Sequence, residues 1–143
     1  MHNLLEIQEY IGEGYRPLVD FENWRVAMLN YSPDLLPEKL THMQRHNETD
    51  EVFILLQGRC VLFVGEGEET VGRMHAVDLE PGKAYNVRQG VWHTHTLNRA
   101  AKVLVVENRN TTYDNSPFVP LTAVQQQELV GKTHSFWRSV VDG

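Results

Sequence analysis

Between Tyr15 and Glu107 the chain divides into about eight to ten short runs of strand character, separated by glycine, proline and polar turns. The runs are Tyr15 to Asp20, Trp24 to Tyr31, Thr41 to His46, Val52 to Gln57, Arg59 to Val64, Thr70 to Leu79, Lys83 to Val87, Val91 to Leu97 and Lys102 to Glu107. Turn signals sit at Phe21-Glu22-Asn23, Gly58, Gly65-Glu66-Gly67-Glu68 and Pro81-Gly82. Regular short strands with such punctuation predict an all-β sandwich or barrel. Val52 to Gln57 is continuously apolar as far as Leu56, which predicts a strand buried on both faces. One face would be the interior, and the other needs a cover of its own.

The ends differ from the middle. Asn3 and Glu6 have capping-box spacing, so a short helix with Leu4, Ile7 and Ile11 on one face is expected, closed by Gly12 and Gly14; a short strand is the alternative. Asn108 to Pro120 is polar and turn-rich. Thr122 and Gln125 form a second capping box, leading into a short helix from Gln126 to Val130 that Gly131 closes. Phe136 and Trp137 then fold back onto the barrel or fill a subunit interface. The 143 residues fit one domain, with a barrel over about 15–107 and an extension over 108–143.

Charge narrows the partners. The net charge is −6, and no cluster of Lys and Arg offers a phosphate-binding surface, so no nucleic-acid partner is expected. The single cysteine, Cys60, lies in an apolar run, where a buried inert thiol is expected and an internal disulfide is excluded. No basic segment followed by an apolar one opens the chain, and no apolar run approaches the ~20 residues of a membrane helix. The expectation is a cytoplasmic protein with no membrane partner.

Two stretches carry the chemistry: His42 to Gly58, and Gly90 to Asn98. Side chains two apart in a strand share a face, so Gln44 lies with His46, and His93 with His95. Glu51 opens the next strand. If these faces turn inward, imidazoles, a carboxylate and an amide oxygen converge, a set suited to Zn²⁺, Fe²⁺, Mn²⁺, Ni²⁺ or Cu²⁺. A cluster of structural histidines bonded to each other and to Gln44 is the competing reading. Trp92 faces away from His93 and belongs to core or interface packing. His75 is expected to be structural, and His2, His42 and His134 solvated or hydrogen-bonding. Asp50 and Glu48 fit a solvated loop. Arg88 suits a surface ion pair, or an anion at the pocket mouth. Glu107 either supports the site from behind or is exposed.

The run His46, four residues, Glu51, six residues, Gly58 resembles the first conserved motif of the cupin superfamily, and Gly90-Val91-Trp92-His93 resembles the core of the second. The resemblance implies a double-stranded β-helix, or jelly-roll barrel, with a short C-terminal helix. It also implies one divalent transition metal (Zn, Fe, Mn or Ni) held by His46, Glu51 and His93. Gln44 stands where the family has another histidine ligand, so Gln44 is a candidate metal ligand beside those three, with His95 or His42 as substitutes. Arg88 replaces the family's proline, and Asn98 lies one position late. His95 is the candidate catalytic residue, moving protons. The implied function is a metal-dependent enzyme acting on a small polar metabolite, of isomerase, lyase or oxygenase type, and commonly a homodimer. The alternative is a non-catalytic small-molecule or sugar binder with a degenerate metal site. Gly90 to His93 is also similar to the matching stretch of ureidoglycolate lyases, which are cupin-like.

Overall fold

The computed structural model describes Met1 and residues 3–141. His2, expected to be solvated, lies outside the described residues. Ten strands are found among them: β1 (Gly14–Phe21), β2 (Trp24–Asn30), β3 (His42–Gln44), β4 (Glu51–Gln57), β5 (Cys60–Gly65), β6 (Met74–Asp78), β7 (Ala84–Val87), β8 (Trp92–Leu97), β9 (Lys102–Asn108) and β10 (Phe118–Pro120). A helix, α1 (Ala123–Val141), follows them. The strands form two five-stranded sheets, ordered β1-β2-β9-β4-β7 and β10-β3-β8-β5-β6, and every strand pair is antiparallel. This is the all-β jelly-roll architecture expected from the sequence.

Alternation decides what each face buries. Ala27, Leu29, Phe53, Leu55, Cys60, Leu62, Leu97, Val103 and Val105 come from both sheets and form one core between them. On β5 the intervening Val61 and Phe63 point the other way, into a second cluster with Met43, Trp92, Val119, Leu121 and Leu129. The second sheet is therefore covered on both faces, by the first sheet inside and by α1 outside. Leu129 is fully buried, and Phe136 and Trp137 pack against the same cluster, so the C-terminal aromatics do fold back. Cys60 is fully buried, and burial pushes its thiol well above the ordinary range.

Gly58 makes the turn from the first sheet into the second. Its φ is +73°, and a Cβ there would sit 2.5 Å from the Ala101 backbone. Only glycine meets both conditions.

Three expectations are corrected. No helix forms at the N-terminus: residues 5–13 lack regular structure, and Leu4, Ile7 and Ile11 are 85%, 75% and 85% exposed. A capping box closes a helix end but supplies no burial, and an isolated short helix is unstable without it. The C-terminal helix runs through Gly131, because Leu129, Thr133 and Phe136 dock on the barrel at helical spacing. The 70–79 run forms a strand only from Met74, since Gly67 to Gly72 makes a loop closed by Gly72 N donating to Glu66 O at 2.6 Å. In the single chain the barrel covers one face of β4, and the expected second subunit on the other face is a separate question. Val52 and Ile54 are half-buried, and Leu56 is 49% exposed.

Candidate metal centre

The site lies on the inner faces of β4, β8 and β9 and on the segment after β3. Along β8, Trp92 points to the outer cluster while His93 and His95 face a cavity of about 590 Å³ between the sheets. Along β9, Val103, Val105 and Glu107 face inward together, and Glu107 is the cross-strand partner of Glu51. His46 lies beyond β3. The backbone there is held by Arg45 N donating to Pro117 O and Asn47 N to Asn115 O, at 3.1 and 2.9 Å. Gly90 N donates to His46 O at 2.8 Å and joins the two chemistry-bearing stretches directly.

His46, Glu51 and His93 are all buried, and their ligand atoms lie within 4.8 Å of one another. His46 Nε2 is 3.0 Å and His93 Nε2 2.9 Å from the same oxygen, Glu51 Oε1. The far side of each ring is committed. His93 Nδ1 is 3.0 Å from Val91 O, a pure acceptor, so Nδ1 carries the hydrogen. His46 Nδ1 is 2.7 Å from Ser116 Oγ, whose own hydrogen goes to Asn115 Oδ1. In the neutral rings both Nε2 atoms are therefore the lone-pair nitrogens. Three donor atoms face one point, and a cation there replaces ring protons without rearrangement. The donor set fits a divalent transition metal on this ground.

Burial pushes the Glu51 carboxyl up. When their Nε2 atoms carry protons, His46 and His93 outweigh it through hydrogen bonds and charge and hold the group below the usual carboxylate range. Glu107 goes the other way. Burial, the charge of Glu51 and a hydrogen bond with it push Glu107 up to about 8, against the Tyr15 hydroxyl that donates to it at 3.2 Å. Burial lowers His95 to about 4, partly opposed by the Glu51 charge, so its imidazole is neutral at pH 7. Its Nδ1 has no hydrogen-bond partner among the described residues, and the ring packs 5.5 Å from that of Phe53.

The structure brings together most of the residues singled out. Gln44 is the register partner of His93 and lines the cavity. Its Nε2 donates to Ser116 O at 3.1 Å, which leaves the amide oxygen as its one atom free for a cation. His42 is exposed, bonded to Thr41, and does not line the cavity. His75 is exposed and meets Glu66 at 2.7 Å in a surface ion pair. His134 is half-exposed near Glu38. Arg88 is exposed and away from the cavity, while Asp50 accepts from Asn86 and from Gln89 N in an exposed loop. Asn98 accepts from Arg59 N at 2.9 Å, a turn role. Glu107 is buried, not exposed. The period-two alternation from Val103 already pointed it inward.

Ser116 had no sequence signal, because β10 brings it to the site from a polar stretch. Ser116→Ala removes the acceptor that orients His46. We expect metal affinity to fall by about 10- to 100-fold with the fold retained, read by chelator competition. Unchanged affinity would show that His46 needs no such support.

Comparison with known proteins places this geometry. The sequence profile of the ureidoglycolate lyase family matches residues 6–126, a span that includes His46, Glu51, His93, His95 and Glu107. A ureidoglycolate lyase of Mesorhizobium japonicum is 34% identical over 70 residues, covering 48% of this chain and 43% of that protein. The chain thus spans less than half the length of that relative in the match. Among solved structures, Streptomyces Pac13 with uridine has a TM-score of 0.56 at 9% identity, covering 85% of this chain and 89% of that one. The oxalate decarboxylase formate complex of Lactobacillus farciminis has a TM-score of 0.52 at 16% identity, over 75% of this chain and 32% of that one. Protein BH2720 of Bacillus halodurans has a TM-score of 0.51 at 16% identity, over 70% of this chain and 73% of that one. These structures share the barrel. No helix among the described residues is long and apolar enough to cross a membrane. With a jelly roll of two antiparallel sheets, an inward His-Glu-His set and a profile match over most of its length, the chain belongs to the ureidoglycolate lyase family of the cupin superfamily.

Proposed function

We propose that the protein is a metal-dependent lyase that removes a ureido group from a small hydroxy acid, with ureidoglycolate as the first substrate to test. The observation that carries this is the buried His46–Glu51–His93 set on the wall of a cavity of about 590 Å³, inside the region shared with the family. His46, Glu51 and His93 hold a Zn, Fe, Mn or Ni ion, and Gln44 adds its amide oxygen. The bound cation supplies Lewis acidity toward the substrate's oxygen atoms.

His95 is the proton-transfer residue of this proposal. Burial keeps it neutral, and it shares the cavity with the triad. It takes the hydroxyl proton as the carbon–nitrogen bond breaks and returns it to the departing nitrogen. Glyoxylate and urea leave, with no net gain or loss of protons.

The test is urea release from ureidoglycolate by protein loaded with each metal in turn. His95→Gln should lower kcat by about a hundredfold or more with metal content unchanged. Failure of every metal form to release urea, or full activity in His95→Gln, overturns the assignment.

In the same proposal the protein is a cytoplasmic homodimer joined through the outer face of the first sheet. Two apolar rows cross that face in register, Val26–Val106–Val52 and Met28–Leu104–Ile54, all half-buried in the single chain. Sedimentation should give twice the 16.5 kDa of one chain, and Leu104→Glu should restore the single-chain mass. A wild-type protein that sediments as a monomer overturns the dimer.

A further inference from the structure

The cavity changes character from its depth to its mouth. Leu29, Phe53 and Val105 are buried within it, whereas Asp34 and Thr112 are exposed and mark the opening. Three acidic side chains line it, those of Asp34, Glu51 and Glu107, and among the described lining residues there is no Lys or Arg. Arg25 is the cross-strand neighbour of Glu107 but does not line the cavity, and it is bound to Asp20 at 2.8 Å.

Asp34 is held in place at the opening. The hydroxyl of buried Ser32 donates to Asp34 Oδ1, and Asp34 has no ion-pair partner among the described residues. Its second oxygen accepts no hydrogen bond among the described residues. No Lys or Arg among the described residues lines the cavity, and Arg25 acts on Glu107 and Tyr15 from behind its wall, so the opposite charge an entering anionic group can contact is a cation on the triad. A second anionic group, left at the mouth, meets Asp34 with nothing to offset it. A group rich in N–H donors meets a matching acceptor there instead.

We propose that the cavity takes its substrate in one orientation, the anionic end at His46–Glu51–His93 and an uncharged N–H donor group, a ureido or amide, at Asp34. Monoanions with such a tail are accepted and dicarboxylates refused. The proposal rests on the reading that the triad holds a cation, and it makes Asp34 the specificity-determining residue.

The test compares ureidoacetate with succinate, a dicarboxylate of similar length, on zinc-loaded protein by calorimetry. Zinc content is measured on the same samples. Ureidoacetate should bind at least about tenfold more tightly than succinate. Asp34→Asn should bring the two within about threefold of each other, and Asp34→Lys should reverse their order. Equal binding of the two probes at one zinc per chain overturns the orientation and leaves the metal reading intact. A preference for ureidoacetate that persists in both variants also overturns it.

If the protein takes up no zinc, the metal reading falls by itself. Uncharged ureidoacetamide then tests the mouth alone. Binding that Asp34→Asn abolishes upholds the role of Asp34, and absence of binding to the wild type overturns it.

Discussion

Protein carrying His93→Ala should fold and fail to retain a metal ion. His93 supplies one of the two imidazole nitrogens of the triad, from a ring that is 3% exposed. Its removal leaves one imidazole, the Glu51 carboxylate and the weak amide oxygen of Gln44, a poorer set than the three strong donors of a catalytic site. Affinity should fall by more than the roughly 100-fold upper range seen when only a supporting hydrogen bond is lost. The structural cost is smaller. Part-buried Val91 O loses its donor, which costs at most about 1–3 kcal/mol. Competition with a chromophoric chelator measures the affinity, and circular dichroism checks the fold. His75→Ala is the control, since that ring is exposed and meets only Glu66. Stoichiometric metal in His93→Ala, or equal losses in both variants, would sink the triad as the binding site.

Phe63→Ala should be the most damaging single change to stability. Phe63 is 1% exposed and packs in the outer cluster against strand and helix residues alike. Truncating a buried phenylalanine costs about 3–5 kcal/mol, since transfer energy is lost and a cavity remains. For a chain of this size that corresponds to a fall in Tm of about 10 °C. Leu56→Ala, at a side chain 49% exposed, should stay within about 1 kcal/mol of the wild type. Urea denaturation of both variants checks the difference. A loss under about 1 kcal/mol in Phe63→Ala would mean that the helix does not close the cluster in solution.

The strands of the barrel were legible because each face of a sheet leaves a period of two. That period separated Trp92 from His93 and His95, and it put Gln44 on the side of the site. It failed where structure depends on what lies opposite. β10 is three residues long, and only its pairing with β3 makes it a strand. Ser116 therefore reached His46 unannounced. The N-terminal capping box named a helix that no surface stabilises. In the C-terminal helix Gly131 read as a stop, yet docking of Leu129 and Phe136 outweighs the roughly 1 kcal/mol that glycine costs in a helix. The missing family histidine at Gln44 was visible at once. That its amide nitrogen is bound to Ser116 O was not, because that contact spans 72 residues.

The backbone bond from Gly90 N to His46 O joins two parts of the chain that are far apart in sequence. It forms only when β3 and β8 are both in place, and local fraying of either wall breaks it. The Gly90 amide hydrogen is therefore a built-in gauge of the site. Its exchange with solvent deuterium follows the opening of the pocket wall, separately from the global unfolding reported by amides of the central strands β4 and β9. A ligand that clamps the two walls together slows exchange at this one amide before it changes any other observable of the fold.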